Sequence, residues 1–358
     1  MKIAVIDYSM LRHISTWSVK KHQNMNAAEG HLNCIAQRMS EILYSLKTIE
    51  KFDSCVFALD SKPYWRDQEM AHFYKTNTQF ITHEDQTYWS AYGAIYANEE
   101  GKRVRVKKKD AEIILAEGIE SWEEFAKDAE DFPLPKYKGH RKPLDYSWLD
   151  CDPAKFFEFA AKLPLLYAKL LNGIVVESKG AEADDIAGVA CKRAADRGND
   201  ILLISGDSDW AQLAAYYPNV TFYDPYREKR FTHADRAELI PKIQTKIIGG
   251  DSGDGIIGCS QKSGYGPIGE TKAAQVVEAK AWDEKIEPNY LGHNKRMVRL
   301  HPDCIPFDIV AGIDAAINAK VRSRQAITWE DLNLTQSRMN ELEINGKAEE
   351  LWNMVKEK

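Results

Sequence analysis

The sequence predicts an α/β protein: a mainly parallel central sheet flanked by helices, with a helical insertion and a helical C-terminal region. Three observations carry this reading. Five short runs, KIAVID, SCVFALD, GIVVES, DILLISGD and NVTFYDP, are rich in β-branched residues and apolar without alternation, as in strands buried on both faces. Longer stretches with helical spacing separate them, the rhythm of a parallel sheet. After about residue 245 the strand signals fade, and Gly-rich turns and helices take over.

Taken in order, KIAVID begins a strand almost at once. NAAEGHLNCIAQRMSEILYSLKTIEKF and EADDIAGVACKRAADRG carry helical spacing, and Gly198 is placed to stop the second. Residues 76 to about 135 are too long for an ordinary connection and read as an insertion, with Trp89, Tyr92 and Tyr96 at helical spacing. DIVAGIDAAINAKVRS reads as a C-terminal helix. The expected division is therefore residues 1–245, carrying the insertion, and residues 246–358.

Composition narrows the classes. The chain has 358 residues, and 44% are apolar, enough for a real core. Lys and Arg number 48 against 54 Asp and Glu, a net charge of −6, so any nucleic-acid contact must come from local basic patches. The 6 cysteines form no C-x-x-C pair and no Cys/His zinc spacing, so reduced thiols in a cytoplasmic protein are expected. No apolar run approaches a membrane span, and the strand-like start leaves no signal peptide to expect.

The carboxylates are the informative residues. Asp7 ends the first strand, Asp60 the second, and Asp207 and Asp209 follow ILLISG. In open parallel sheets, ligands bind beyond the carboxyl ends of the strands. Glu182, Asp184 and Asp185 start a helix after GIVVESKG, and Asp251 and Asp254 lie three apart in GGDSGDGIIG. Singly, each acid has a plain reading: Asp184 and Asp209 suit helix caps, and many strands end as Asp7 ends the first. Jointly, that account needs four termini to have gained acids independently.

Several carboxylates facing one crevice raise one another's pKa unless cations are present. Mg²⁺ or Mn²⁺, hard ions with oxygen ligands, answer that need. Two such ions about 3.5–4 Å apart suit phosphodiester hydrolysis. Mg²⁺ keeps several waters, so some of the nine acids would act through water. Competing motifs fail. DSGDGIIGCSQK lacks the third- and fifth-position ligands of an EF-hand, and Ser9 stands where an aspartyl-nucleophile phosphatase has a second Asp. Neither a Walker A sequence nor G-x-S-x-G is present.

The order VID, ALD, YKGHRKP, GAEADDIAG, LLISGDSDWAQL, GGDSGDGIIG and a glycine loop before a helix resembles the bacteriophage branch of the 5′-nuclease superfamily, the flap endonucleases and 5′–3′ exonucleases. The resemblance covers most of the chain. It implies that Asp7, Asp60, Glu182, Asp184, Asp185, Asp207, Asp209, Asp251 and Asp254 form a cluster for two Mg²⁺ or Mn²⁺. GYGPIGETKAA also matches G-x-G-x-x-G, but it does not follow a strand in an N-terminal βαβ unit as a dinucleotide site requires. The resemblance instead implies a helix–turn–helix element gripping duplex phosphates through Gly264, Gly266, Gly269 and Lys272, with one K⁺. In this sequence CSQKS lengthens the turn before Gly264.

YKGHRKP resembles a family segment whose Lys and Arg, here Lys138 and Arg141, face the scissile phosphate. Lys75 after Tyr74 is the rival, without an arginine three places on, and Arg66 in YWRD is a secondary candidate. Within the insertion, Lys102, Arg103, Arg105, Lys107, Lys108 and Lys109 concentrate positive charge. They form either an arch that guides a single-stranded 5′ end or an exposed basic hairpin beside aromatics that pack the insertion. The expected function is a divalent-metal-dependent 5′-nuclease. It would be a monomer acting on DNA with 5′ ends or flaps and on RNA–DNA primers, attended by replication accessory proteins. A toxin-like ribonuclease and a non-catalytic DNA-binding scaffold are the alternatives.

Overall fold

The structure, a computed structural model, describes residues 1–21, 30–83, 86–100, 102–115, 135–142 and 144–322. In chain order its strands are β1 (Lys2–Asp7), β2 (Ser54–Ala58), β3 (Gln79–His83), β4 (Gln86–Ala91), β5 (Ala94–Glu99) and β6 (Lys102–Arg105). They continue with β7 (Ile174–Val176), β8 (Asp200–Ile204), β9 (Val220–Asp224), β10 (Lys229–Phe231), β11 (Gly250–Asp251) and β12 (Ile256–Ile257). The packing divides the chain into two compact units. One holds residues 1–63 and the described residues of 143–236 and 300–358. The other holds the described residues of 64–142 and 237–299.

The first unit is built on a six-stranded sheet in the order β10-β9-β8-β1-β2-β7. All its pairings are parallel except β10 with β9. All five strand runs expected from the sequence are there. Ala4 and Ile6 of β1 point into a core with Leu11, Met39, Leu43, Phe57, Leu163 and Tyr167, supplied by helices Tyr8–Lys21, His31–Glu50 and Pro153–Leu170. Alternation sends Val5, fully buried, to the opposite face. Helix Ala183–Asp196 packs against β1, β2 and β8, and helix Phe307–Arg322 against β7 and that helix. Gly198, at φ +66°, ends the 183–196 helix as its sequence predicted. The part of the first expected helix at residues 26–29 lies outside the described residues.

The second unit contains helix Trp65–Asn77, a four-stranded antiparallel sheet β3-β4-β5-β6, helix Lys108–Leu115, the β11–β12 hairpin and helices Glu270–Glu278, Trp282–Lys285 and Pro288–Val298. The expected helical insertion therefore needs a correction. Its stretch 79–105 is sheet, residues 108–115 are helical, and 116–134 lie outside the described residues. Trp89 and Tyr96, read as helical neighbours, are instead opposite partners in the β4–β5 ladder. Tyr92 and Gly93, at φ 51° and 67°, form the two-residue turn joining those strands. The spacing of three and four that suggested a helix is equally produced by a tight hairpin whose rings meet across it.

The expected cut at 245/246 also gives way. Residues 300–322 pack with the sheet unit, because Ile309, Ile313 and Ile317 bury one stripe of their helix there. Residues 64–115 pack instead with residues 237–299, in a core that joins Phe73, Tyr92 and Trp89 to Ile248, Ile268 and Tyr290. All 6 cysteines are free thiols. Among the described residues no helix is long and apolar enough to cross a membrane.

Candidate metal centre and phosphate contacts

In the first unit, register brings the acids to one edge. β1 pairs Asp7 with Ala58 and Ile6 with Ile204, so Asp7, Asp60 and the loop after β8 follow adjacent strand ends. Hydrogen bonds then tie four segments together. Ser205 Oγ donates to Asp7 Oδ2 at 2.8 Å and accepts from Asp207 N at 3.0 Å. Ser9 Oγ donates to Asp60 Oδ2 at 2.8 Å, and Ala183 N donates to Asp60 Oδ1 at 2.9 Å. Trp210 Nε1 donates to Asp184 Oδ1 at 2.7 Å. The ends of β1 and β2, the start of helix 183–196 and the loop after β8 are thus one linked set.

Each acid has a distinct local role. Asp185 is buried and accepts from Glu182 N at 3.0 Å, so these two close the start of their helix as a cap. Asp184 points elsewhere, to Trp210, and is not the cap. Asp207 caps the short turn Ser208–Trp210 by accepting from Asp209 N at 2.9 Å. Asp7 is the deepest of the strand-end acids, and burial pushes its carboxyl up from 3.8 to about 6. The charges of Asp60 and Asp207 push it further the same way, against the hydrogen bonds from Met10 and Ser205. The donors that hold Asp7, Asp60 and Asp207 are neutral hydroxyl and amide groups, which orient carboxylates without cancelling their charge.

An all-oxygen, mutually repelling set of this kind suits a hard divalent cation. Among the described residues no three His, Cys, Asp or Glu side chains are gathered tightly enough to enclose an ion. Sequence reading missed Ser9, Ser205 and Trp210 as the groups that aim the acids. Ser9 and Ser205 had a signal, each lying two residues from a strand-end aspartate. Trp210, next to Asp209, reads as an apolar core residue, and nothing local marks its bond to Asp184.

The second unit arranges its predicted residues differently. Asp251 and Asp254 sit on the β11–β12 hairpin, and both meet cations. Lys246 Nζ is 2.7 Å from Asp251 Oδ2, and Arg141 Nη2 is 2.5 Å from Asp254 Oδ1. Tyr137 Oη also donates to Asp254 at 3.3 Å, and Lys138 N donates to the Asp254 carbonyl at 2.8 Å. The Lys138 ammonium lies 4.9 Å from the Tyr137 ring centre and 5.6 Å from that of Tyr64. Lys138 and Arg141 therefore stand together at one hairpin. Lys75 is exposed on helix 65–77, and the neighbouring Tyr74 hydroxyl is taken by Arg103 at 2.6 Å. Arg66 is 1% exposed and donates to the Met297 carbonyl at 3.1 Å. A guanidinium so buried supports packing, and Arg66 is withdrawn as a phosphate ligand.

Gly264 and Gly266 adopt φ 116° and 89°, as the loop requires, but the Gly266 N–H already donates to the Gly93 carbonyl at 2.6 Å. Gly269 precedes helix 270–278 with open space around it, and Lys272 contacts Gln261 Oε1. In the insertion, Arg103 lies over the rings of Tyr96 and Tyr74, and Arg105 lies over Tyr265 and donates to its carbonyl at 2.5 Å. These two hold the sheet in place. Lys102, Lys107, Lys108 and Lys109 remain exposed.

No family model matches the chain. Ribonuclease H of Enterobacteria phage T4 is 30% identical over 196 residues, which is 51% of this chain and 63% of that protein. DNA polymerase I of Rhizobium leguminosarum is 33% identical over 108 residues, 29% of this chain and 10% of the polymerase. The chain thus spans less than two thirds of the T4 protein and a tenth of the polymerase. A phage T5 protein crystallised with metal ions superposes with a TM-score of 0.52 at 15% identity, over 91% of this chain and 100% of that one. The chain shares the fold of that T5 protein. The T5 5′-exonuclease with bound zinc gives a TM-score of 0.51 at 15% identity, over 89% of this chain and 99% of its own.

Proposed function

We propose that the protein is a divalent-metal-dependent 5′-nuclease that hydrolyses phosphodiester bonds near DNA or RNA-primer 5′ ends in replication or repair. The observation that carries this is the linked set Asp7, Asp60, Asp184 and Asp207, drawn from four chain segments to one edge of a parallel sheet. Two Mg²⁺ or Mn²⁺, when bound, would supply Lewis acidity and a water acidic enough to attack at neutral pH. Asp7, Asp60, Asp184, Asp207 and Asp209 would hold them, while Ser9, Ser205 and Trp210 fix the carboxylate orientations. Glu182 and Asp185 secure the helix start from which Asp184 projects.

In the second unit, Lys138 and Arg141 keep the proposed role of meeting the charge that develops on the phosphate. Asp251 and Asp254 keep the proposed role of metal-linked carboxylates. Gly269 and Lys272 are proposed duplex-phosphate contacts beside one K⁺. The T4 relative is a ribonuclease H, which supports RNA as one substrate class.

The test is digestion of a 5′-labelled flapped duplex with Mg²⁺ and with chelator. Cleavage should require the ion. Asp207→Asn combined with Asp209→Asn should slow it by about a thousandfold or more while leaving DNA affinity within a few fold. Cleavage at the wild-type rate by that variant would refute the assignment. Arg141→Gln should cost about a hundredfold in rate.

A further inference from the structure

The helix Tyr8–Lys21 begins one residue after Asp7 and carries Arg12, His13, Lys20 and Lys21 but no Asp or Glu. That is unusual in a chain whose net charge is −6. His13, Trp17 and Lys21 recur every four residues, so they share one side of the helix, and all three are exposed, Trp17 at 49%. Ser9, one turn earlier on the same side, donates to Asp60 at 2.8 Å. This side of the helix therefore starts at the acidic set and runs outward through an imidazole, an indole and an ammonium.

Cations line the exposed rings. Lys21 Nζ lies 5.8 Å from the Trp17 ring centre. The Arg12 guanidinium lies 5.9 Å from the ring of Phe157, which is 44% exposed and packs edge-on against Tyr146 at 5.2 Å. Lys20 Nζ lies 5.8 Å from the Trp148 ring, and Asp145, 3.6 Å from that ammonium, offsets part of its charge. From His13 to Lys21 the helix rises about 12 Å, room for a few bases stacked about 3.4 Å apart. Exposed rings beside cations suit an unpaired strand: any base can stack on an indole, and the ammonium groups take the phosphates. A duplex hides its base faces and would gain only the charge.

We propose that this side of helix 8–21 is a track for single-stranded nucleic acid, one base stacked on Trp17 and the phosphates held by Lys20 and Lys21. The proposal rests on the nuclease reading for its purpose, a strand leading to or from the acidic edge, but its binding claim is tested apart from cleavage.

The experiment is fluorescence anisotropy of labelled oligo(dT) with the full chain in chelator, where no cleavage competes, across a salt series and beside a blunt duplex. Trp17→Ala should weaken single-strand binding by about tenfold, and Trp17→Phe should restore most of it. Combined Lys20→Gln and Lys21→Gln should lower the salt slope by about 1.4. Duplex affinity should change little in Trp17→Ala. Equal affinities for wild type and Trp17→Ala, no single-strand binding by wild type, or an equal loss on the duplex would each overturn the track. Should Trp17→Ala lose its circular dichroism, Trp17→Gln carries the same comparison. Binding losses with flap cleavage absent in wild type would leave the track standing and sink the nuclease reading; intact cleavage with unchanged binding does the reverse.

Discussion

At Asp7 one side chain records the tension of the whole acidic edge. Its carboxyl, ordinarily at 3.8, is pushed up to about 6 by burial first and by Asp60 and Asp207 after it. The folded protein therefore holds a proton on Asp7 at pH values where the unfolded chain has released it. Stability is highest below the unfolded value, falls as pH rises between about 4 and 6, and levels off above. That rise corresponds to about 3 kcal/mol. Asp7→Asn removes the charge and keeps the shape, so it should raise the melting temperature of the metal-free protein at about pH 7.5 and flatten its pH dependence. Calorimetry in chelator across that range checks this, and a lower melting temperature at neutral pH would contradict it. The same substitution should abolish cleavage, separating stability from activity at a single atom pair.

At the scale of elements, helix 183–196 shows packing overruling propensity. Gly188 lies in its interior, where alanine would ordinarily stabilise by about 1 kcal/mol. A methyl group there would collide with the carbonyl oxygen of Leu300, backbone that cannot swing aside. Gly188→Ala should therefore destabilise the protein by about 2 kcal/mol or more, seen as a lower denaturant midpoint. A rise in midpoint would show that the two backbones can part. Element identity was readable where the pattern was long or buried: all five sheet runs and the 183–196 and 307–322 helices fall where their sequences placed them. It failed at residues 79–105, because Trp89, Tyr92 and Tyr96 fit a helix face and a hairpin equally well. The two positive-φ residues at the turn decided the matter, and Tyr92 is not a residue that announces one.

Over the whole molecule, the two compact units are discontinuous in sequence, and each has its own core. Residues 300–322 belong with the sheet through Ile309, Ile313 and Ile317, and Arg193 bonds Asn318 at 2.7 Å and Asp314 from the 183–196 helix. Ile313 is fully buried, so Ile313→Ala should cost about 2–5 kcal/mol. Hydrogen exchange should quicken in β7 and helix 183–196 and stay unchanged in helix 288–298. Uniform quickening in both units would show that they unfold as one.

The sequence by itself determined the sheet strands, the strand-end acids and the kind of chemistry they suit, because β-branched runs and charge at strand ends are local signals. Only the tertiary structure decided what aims those acids, which arginine is buried and which stretch packs with which unit. Those depend on partners distant along the chain: Trp210 on Asp184, Arg66 on the Met297 carbonyl, Asp254 on Arg141. A local pattern reports how a residue prefers to fold; it carries no record of the side chain that will meet it.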